Sequence, residues 1–395
     1  MAGVAAATEP LAAASPTLWI ERISLTNFRN YSQFTLELDA GPVVLTGPNG
    51  AGKTNLMEAV SLLAAGQGLR RAAYPELARA GGAGDWAVAA TIMTAAGPVD
   101  IGTGLAAGQA ARPRAGRIVR VNGENAGGSG VLADLVDMVW LIPAMDGLFT
   151  GPAGERRRFL DRLILCFDPS YRTRLGYFER AMASRNRLLS DEIRDPARYI
   201  GVERVMAETG VAIAAARAEA VSQIVAAMDL RRARAPGSPF PWATLALSGS
   251  LEDDLAEHPA VDVEERYART LSTTRDRDRG AGRTLDGPHR SDLSVGHGPK
   301  NAPASQCSTG EQKALLIGLV LAHAELLRQS RDRPAPILLL DEIAAHLDPL
   351  RRQALFEEVL RLGCQAWMTG TDRIAFAALE NRATFLHLED GQARR

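Results

Sequence analysis

Apolar residues recur along this chain with two different periods, and the change between them predicts its organisation. Val43, Val44 and Leu45 in "PVVLTG" form a β-branched and aliphatic run that predicts a buried strand. In "KTNLMEAVSLLAA", directly after it, Leu56, Ala59, Val60 and Leu63 return at helical spacing. Further strands are expected at "WAVAATIM", "VDIGTGL" and "GRIVRVN". From about residue 151 the pattern turns helical. "RRRFLDRLILCF" puts Phe159, Leu160, Leu163, Ile164 and Phe167 on one face and Arg158, Asp161 and Arg162 on the other. Arg204 to Met228 continues the helices until Pro236, Pro239 and Pro241 break them. Beyond residue 290 the pattern predicts a long apolar helix over "GEQKALLIGLVLAHAELL" and a buried parallel strand at Ile337 to Leu340. A helix at "RRQALFEEVLRL" and a strand at "CQAWMTG" follow.

The fold class expected from this pattern is α/β, with a nucleotide-binding head split in sequence around a helical insert. The boundaries expected are residues 18–150 and 290–395 for the head and 151–289 for a mainly helical lobe. Residues 1–17, rich in Ala, Pro and Thr, are expected to be a disordered extension. That stretch lacks the basic region of a signal peptide. The longest apolar run, Ala314 to Leu327, is too short for a membrane span and carries His323 and Glu325, so no membrane association is expected. Three widely spaced cysteines without CxxC fit a reducing, cytoplasmic setting.

The strand-to-helix junction carries the chemistry. Gly47, Pro48, Asn49, Gly50, Ala51, Gly52, Lys53 and Thr54 satisfy GxxxxGK[ST] without a gap. Glycines let successive backbone N–H groups turn inward around a phosphate, and the helix N-terminus adds its dipole. Composition sharpens the reading, because 42 of the 45 basic residues are arginine and only Lys53, Lys300 and Lys313 are lysine. A compact ammonium is kept where a planar guanidinium would not fit. Lys53 is expected on the β- and γ-phosphates of ATP, with the Thr54 hydroxyl on Mg²⁺.

Two downstream segments complete a nucleotide site. Asp341 stands at the carboxyl end of the apolar strand, where a carboxylate holds Mg²⁺, and Glu342 beside it is placed to polarise the attacking water. Ser308, Thr309 and Gly310 open the long helix and make a second anion site from backbone N–H groups. Within one chain that site is surplus; across a homodimer it would close over the partner's γ-phosphate.

These segments together resemble the ABC-type ATPase heads of the SMC/Rad50/RecF group. "ISLTNFRNYSQFTLEL", "ERRRFLDRLIL", "SRNRLL" and "GPHRSDL" resemble its RecF branch. The resemblance implies that Gly47 to Thr54 bind ATP, that Asp341, Glu342 and Lys53 are catalytic, and that Ser308 and Gly310 are the signature. It places Asp348 in the dimer-contacting loop and Thr371 where many relatives carry a switch histidine. Asp146 falls near the usual lid-loop glutamine, and Arg29 and Tyr31 either approach the base or ribose or are packing residues. It further implies ATP-dependent homodimerisation and binding of single-stranded DNA and gapped duplex. Recruitment of RecO and RecR, RecA loading and SOS induction are implied as well, with weak DNA-dependent hydrolysis acting as a timer. The insert holds no sustained heptads, so no long coiled-coil arm is expected.

Net charge is −1, so no global polycation announces DNA, but positive charge is clustered. Arg156 to Arg187 holds nine arginines and three acids, and "RPRAGRIVR" adds Arg112, Arg114, Arg117 and Arg120. Such clusters fit phosphate contacts, or they are solvated and structural cations. A transporter ATPase shares the loop and the Mg²⁺ strand, but calls for a closer LSGGQ and a switch histidine. A DNA-binding scaffold that binds ATP without turnover is the other alternative; it predicts no hydrolysis when DNA is added. His289 and Arg290 receive no role.

Overall fold

The computed structural model describes residues 18–108, 116–329, 335–344, 347–389 and 391–395. The expected N-terminal extension, Arg112, Arg114 and His346 lie outside them. In chain order the first part contains β1 (Trp19–Phe28), β2 (Tyr31–Glu37), β3 (Val43–Thr46), α1 (Lys53–Ser61), β4 (Trp86–Thr94), β5 (Gly97–Leu105), β6 (Ile118–Val121), β7 (Glu124–Asn125) and β8 (Met138–Leu141). The middle contains α2 (Ala153–Leu165), α3 (Tyr171–Ser190), α4 (Ala197–Arg234), β9 (Ala243–Ser248), α5 (Ser250–Glu257), α6 (Ala260–Thr273) and α7 (Arg275–Gly280). The last part contains β10 (Asp292–His297), β11 (Ala302–Pro303), α8 (Thr309–Gln329), β12 (Ile337–Leu340), α9 (Pro349–Leu362), β13 (Ala366–Thr369), β14 (Thr384–Glu389) and β15 (Gln392–Arg394).

The central sheet runs β15-β14-β3-β13-β12-β8, drawing strands from both ends of the chain. Five of its strands are parallel, and only β15 is antiparallel. Parallel strands are covered on both faces, which is why β3, β12 and β13 read as unbroken apolar runs. Their alternate residues serve two cores. Val43, Leu45, Ile337 and Leu339 pack with α1 and the second sheet. Val44, Leu338 and Leu340 pack with α2, α4, α8 and α9. Each fully buried aliphatic side chain of this kind contributes about 1.5–3 kcal/mol. The second sheet, β2-β1-β4-β5-β6-β7, is antiparallel and lies over α1.

The middle segment is helical apart from β9. That strand pairs antiparallel with β10, from Ala243↔His297 to Ser248↔Asp292, and so ties the segment to the chain's return. Its inward face is incompletely covered, with Ala243 buried but Leu245 and Leu247 only half-buried, while the three alternating residues are exposed. On α2, Phe159, Leu160, Leu163 and Ile164 are buried as the periodicity predicts. The opposite face is solvated only at Arg158. Asp161 accepts both guanidinium arms of Arg217 and the Tyr171 hydroxyl, while Arg162 lies over the Trp140 ring at 4.7 Å.

At 38 residues α4 is long and apolar enough to cross a bilayer by length and composition, with a mean hydropathy of 1.4 in its most apolar window. Half of that window is buried inside the protein, as in a core helix. The shorter apolar run at Ala314 to Leu327 is thus not the segment closest to a span.

Candidate nucleotide site

The glycine loop connects β3 to α1 as the motif demands. Gly47 has φ +139, and a Cβ there would stand 2.3 Å from the Leu388 carbonyl oxygen. Gly52 has φ +104, and its Cβ would press on Asn30 and on the Tyr31 hydroxyl at 2.6 Å. Both positions therefore require glycine for conformation and for space. Lys53 is 7% exposed, and its Nζ donates to Gly47 O at 2.6 Å and Pro48 O at 2.9 Å. The ammonium is folded onto its own loop, on carbonyls that phosphate oxygens would replace. Burial pushes its pKa down, against the opposing pull of Glu342 and Asp341.

Residues far apart in sequence meet at the end of β12. The Thr54 hydroxyl donates to Asp341 Oδ1 at 3.2 Å, and the carboxylate is 3% exposed. One hydroxyl and one carboxylate beside a phosphate loop are the protein donors Mg²⁺ takes when phosphates and waters fill its other positions, so the set fits that ion. Among the described residues no cluster of three His, Cys, Asp or Glu forms an all-protein metal cage.

Thr369, at the end of β13, was not marked by any sequence pattern. Its hydroxyl donates to Asp341 Oδ1 at 2.7 Å and accepts the Glu342 backbone N–H at 2.7 Å. Glu342 has φ +50, a left-handed conformation unusual for a non-glycine residue. The threonine thus pins the backbone turn that carries the exposed Glu342 side chain. Thr371, two residues on, is exposed in the turn after β13.

Arg29 and Tyr31 sit beneath the loop. Arg29 makes a bidentate pair with Glu58 of α1, at 2.9 and 3.0 Å, and Tyr31, 1% exposed, donates its hydroxyl to Gly52 O at 3.0 Å.

Ser308 caps α8: its hydroxyl accepts the Glu311 N–H at 3.4 Å, while Glu311 Oε2 accepts the Ser308 N–H at 3.1 Å. Ser308 and Thr309 are exposed, and the space around Gly310 is open. A 21-residue helix therefore presents its N-terminal dipole outward. Lys300 pairs with Glu311 at 2.6 Å and, with the Ser308 groups, holds that carboxyl down at about 2. Lys313, 3% exposed, reaches Asp146 at 3.6 Å. Lys53 thus belongs to the glycine loop and Lys313 to α8, while Lys300, from the turn before β11, pairs with the first turn of α8, and Asp146 engages α8 from the loop after β8. Asp348 caps α9, accepting the Arg351 N–H at 2.9 Å, and is itself exposed.

The basic clusters separate into several roles. Arg185 is completely buried, donating to Glu203, Asp278, Thr284 and Leu271 O. Arg117 is buried and donates to Leu62 O, Ala64 O and Gly66 O, closing carbonyls at the end of α1. Arg156 pairs with Asp292, and Arg158 and Arg174 with neighbouring acids. Arg117, Arg156 and Arg185 are thereby structural cations, whereas Arg158 sits in an exposed surface pair.

Residues 19–381 match the family described as RecF/RecN/SMC N terminal domain. The DNA replication and repair protein RecF of Mesorhizobium japonicum is 54% identical over 373 residues, covering 94% of this chain and 96% of that protein. The RecF of Brucella suis biovar 1 is 53% identical over 374 residues, with 94% and 95% covered. A solved structure of the recombination mediator protein RecF-ATP in the RecFOR pathway superposes with a TM-score of 0.80 at 21% identity, covering 96% of this chain and 99% of that one. The Smc head domain from Pyrococcus furiosus superposes at 0.54, with 17% identity and 95% of each chain covered. The fold is accordingly that of an ABC-type SMC-like ATPase head, and the described residues hold no long coiled coil.

Proposed function

The chain belongs to the RecF family of SMC-like ABC ATPases, and on that premise we propose that it is an ATP-gated DNA clamp of recombinational repair. The observation that carries the reading is the convergence of Lys53, Thr54, Asp341, Thr369 and Glu342 from three separate segments onto one loop. Lys53 leaves the carbonyls of Gly47 and Pro48 to hold the β- and γ-phosphates, while the loop N–H groups from Gly50 to Thr54 cradle them. Thr54 and Asp341 would hold Mg²⁺, which would supply charge neutralisation for phosphoryl transfer. Glu342, turned outward by its backbone, orients the attacking water and accepts its proton.

The outward-facing start of α8 lies on a helix other than the one that follows the loop. We infer that Ser308, Gly310 and their backbone N–H groups complete the site of a second copy, so that two nucleotides are sandwiched in a homodimer. Asp348 meets the partner beside them. Binding favours the closed dimer and loss of the γ-phosphates releases it, which makes slow, DNA-dependent hydrolysis a timer. The closed clamp holds single-stranded DNA and gapped duplex in the cytoplasm, recruits RecO and RecR, promotes RecA loading and supports replication, repair and SOS induction. The proposed organisation is a head of residues 18–150 and 290–395 carrying a mainly helical lobe of 151–289.

The test is ATP turnover with and without gapped DNA. The clamp predicts slow turnover that rises with DNA and disappears in Glu342→Gln. A scaffold that only binds ATP shows no turnover under either condition, and that result would overturn the proposal.

A further inference from the structure

A cleft of about 840 Å³ opens between the loop after α1 and helices α2, α3 and α4. Seven arginines and three acids line it. Arg70 lies 3.6 Å from Glu58, Arg158 is paired with Glu155, and Arg217 holds Asp161 at 2.9 Å. Arg71, Arg157, Arg162 and Arg172 have no carboxylate partner among the described residues. The Nε atoms of Arg162 and Arg172 are buried without a hydrogen-bond partner. Burial depresses the pKa of Arg157, Arg162 and Arg172; Arg217 adds repulsion at Arg157 against the pull of Asp161 and Asp292, and Arg71 adds repulsion at Arg162.

Like charges gathered in a partly dry cleft destabilise the fold unless a counter-charge arrives. Elsewhere this protein supplies that counter-charge from its own chain, as at Arg185 with Glu203 and Asp278 and at Arg361 with Glu325 and Glu358. In this cleft it does so only for Arg70, Arg158 and Arg217, through Glu58, Glu155 and Asp161, and leaves the other four arginines without a carboxylate ion pair. The guanidiniums are interleaved with apolar walls from Trp140, Leu175 and Met182. Alternating charge and apolar surface suits a strand in which phosphates and bases alternate. The volume is that of a small-ligand pocket, with room for a few nucleotides of one strand and none for a duplex.

We propose that this cleft seats the sugar–phosphate backbone of a single DNA strand, with Arg71 and Arg172 on its phosphates. The inference rests on the DNA-clamp reading above and adds the place where the strand enters. It also gives the "GPHRSDL" segment a role. Pro288 O accepts from Arg217 at 2.6 Å, and His289 lines the cleft with its Nε2 3.1 Å from Thr284 O. The segment is the wall that positions Arg217 against Asp161 and takes the Arg157 guanidinium on the Ser291 carbonyl, so that Arg71 and Arg172 are the cations left to face the ligand.

The experiment measures binding of a 5′-labelled single-stranded oligonucleotide by fluorescence anisotropy with ATP and Mg²⁺, across a salt series. It compares wild type with a double variant, Arg71→Gln with Arg172→Gln, and with the corresponding double lysine variant. Binding of a fluorescent ADP analogue serves as the folding control. The expected result is an affinity loss of about tenfold or more in the glutamine variant. Its log–log salt slope should shrink by about 1.4, at about 0.7 per lost phosphate contact on a single strand. The lysine variant should keep the wild-type slope, and binding to blunt duplex should be unaffected in both. An unchanged slope and affinity while wild type binds DNA overturns the cleft assignment alone. Equal weakening of blunt-duplex binding also overturns it, in favour of a general electrostatic surface. Absence of single-strand binding by wild type overturns the clamp reading together with it.

Discussion

Replacing Thr369 by valine removes one hydroxyl while conserving volume and branching. That hydroxyl is fully buried and makes two bonds of 2.7 Å, to the Asp341 carboxylate and from the Glu342 N–H. A hydrogen bond to a charged group contributes about 1.5–3 kcal/mol, and an N–H left unpaired costs about 1–3 kcal/mol. The left-handed backbone of Glu342 itself costs about 1–2 kcal/mol, and the bond to Thr369 is the contact that offsets it. Without it Glu342 relaxes toward an ordinary conformation and its carboxylate leaves the water. If about 1.4–2.8 kcal/mol of this is lost in the transition state, kcat falls about 10- to 100-fold. Lys53, Thr54 and the loop are untouched, so KM for ATP should stay within about threefold of wild type. Steady-state ATPase assays with DNA present, on wild type, Thr369→Val and Thr369→Ser, read this directly. The serine variant keeps the hydroxyl and should keep most of the rate. Thr369→Val with wild-type kcat, or with a raised KM as its only defect, would refute the positioning argument.

Lys53→Arg should weaken binding of a fluorescent ATP analogue at least about tenfold, because a planar fork cannot occupy the slot between Gly47 O and Pro48 O; wild-type affinity would show that the slot admits a guanidinium. Arg185→Met should lower stability by about 3–5 kcal/mol in urea unfolding, since it strands Asp278 and Glu203 in the interior. A variant that is stable but defective in DNA binding would instead make Arg185 a phosphate contact. Burial holds His323 down at about 4, against an ordinary value of 6.5. Its folded pKa is the lower one, so its stability contribution is complete above 6.5 and is lost as pH falls toward 4. Urea midpoints at pH 7 and pH 5 should therefore drop less in His323→Gln than in wild type, and equal drops would remove His323 as the cause.

What the sequence made legible was local. Ile337 to Leu340 is a strand with the predicted limits, because a parallel strand buried on both faces shows itself as an uninterrupted apolar run. The glycine loop was legible because its residues are contiguous, and the buried face of α2 because 3.6-residue periodicity is a local property. Thr369 was not legible, since its meaning comes from a partner 28 residues away and a threonine at a strand end is otherwise ordinary. The arginine cluster was counted correctly but not sorted. Charge per window says nothing about whether a guanidinium is solvated, as Arg180 is, or sealed inside, as Arg185 is. That distinction depends on Glu203 and Asp278 arriving from distant helices. The chemistry of β9 was hidden for the same reason, because a half-exposed strand gains its definition from β10.

In the proposed clamp, nucleotide closes two copies of this chain upon each other through the outward-facing start of α8. Sedimentation velocity of the purified protein with and without ATP and Mg²⁺, alongside Glu342→Gln, tests it most directly. The expected result is a monomer without nucleotide, a dimer with ATP, and a dimer that persists in the variant and retains gapped DNA at moderate salt. A protein that stays monomeric with ATP in both forms, or that is dimeric regardless of nucleotide, would contradict it.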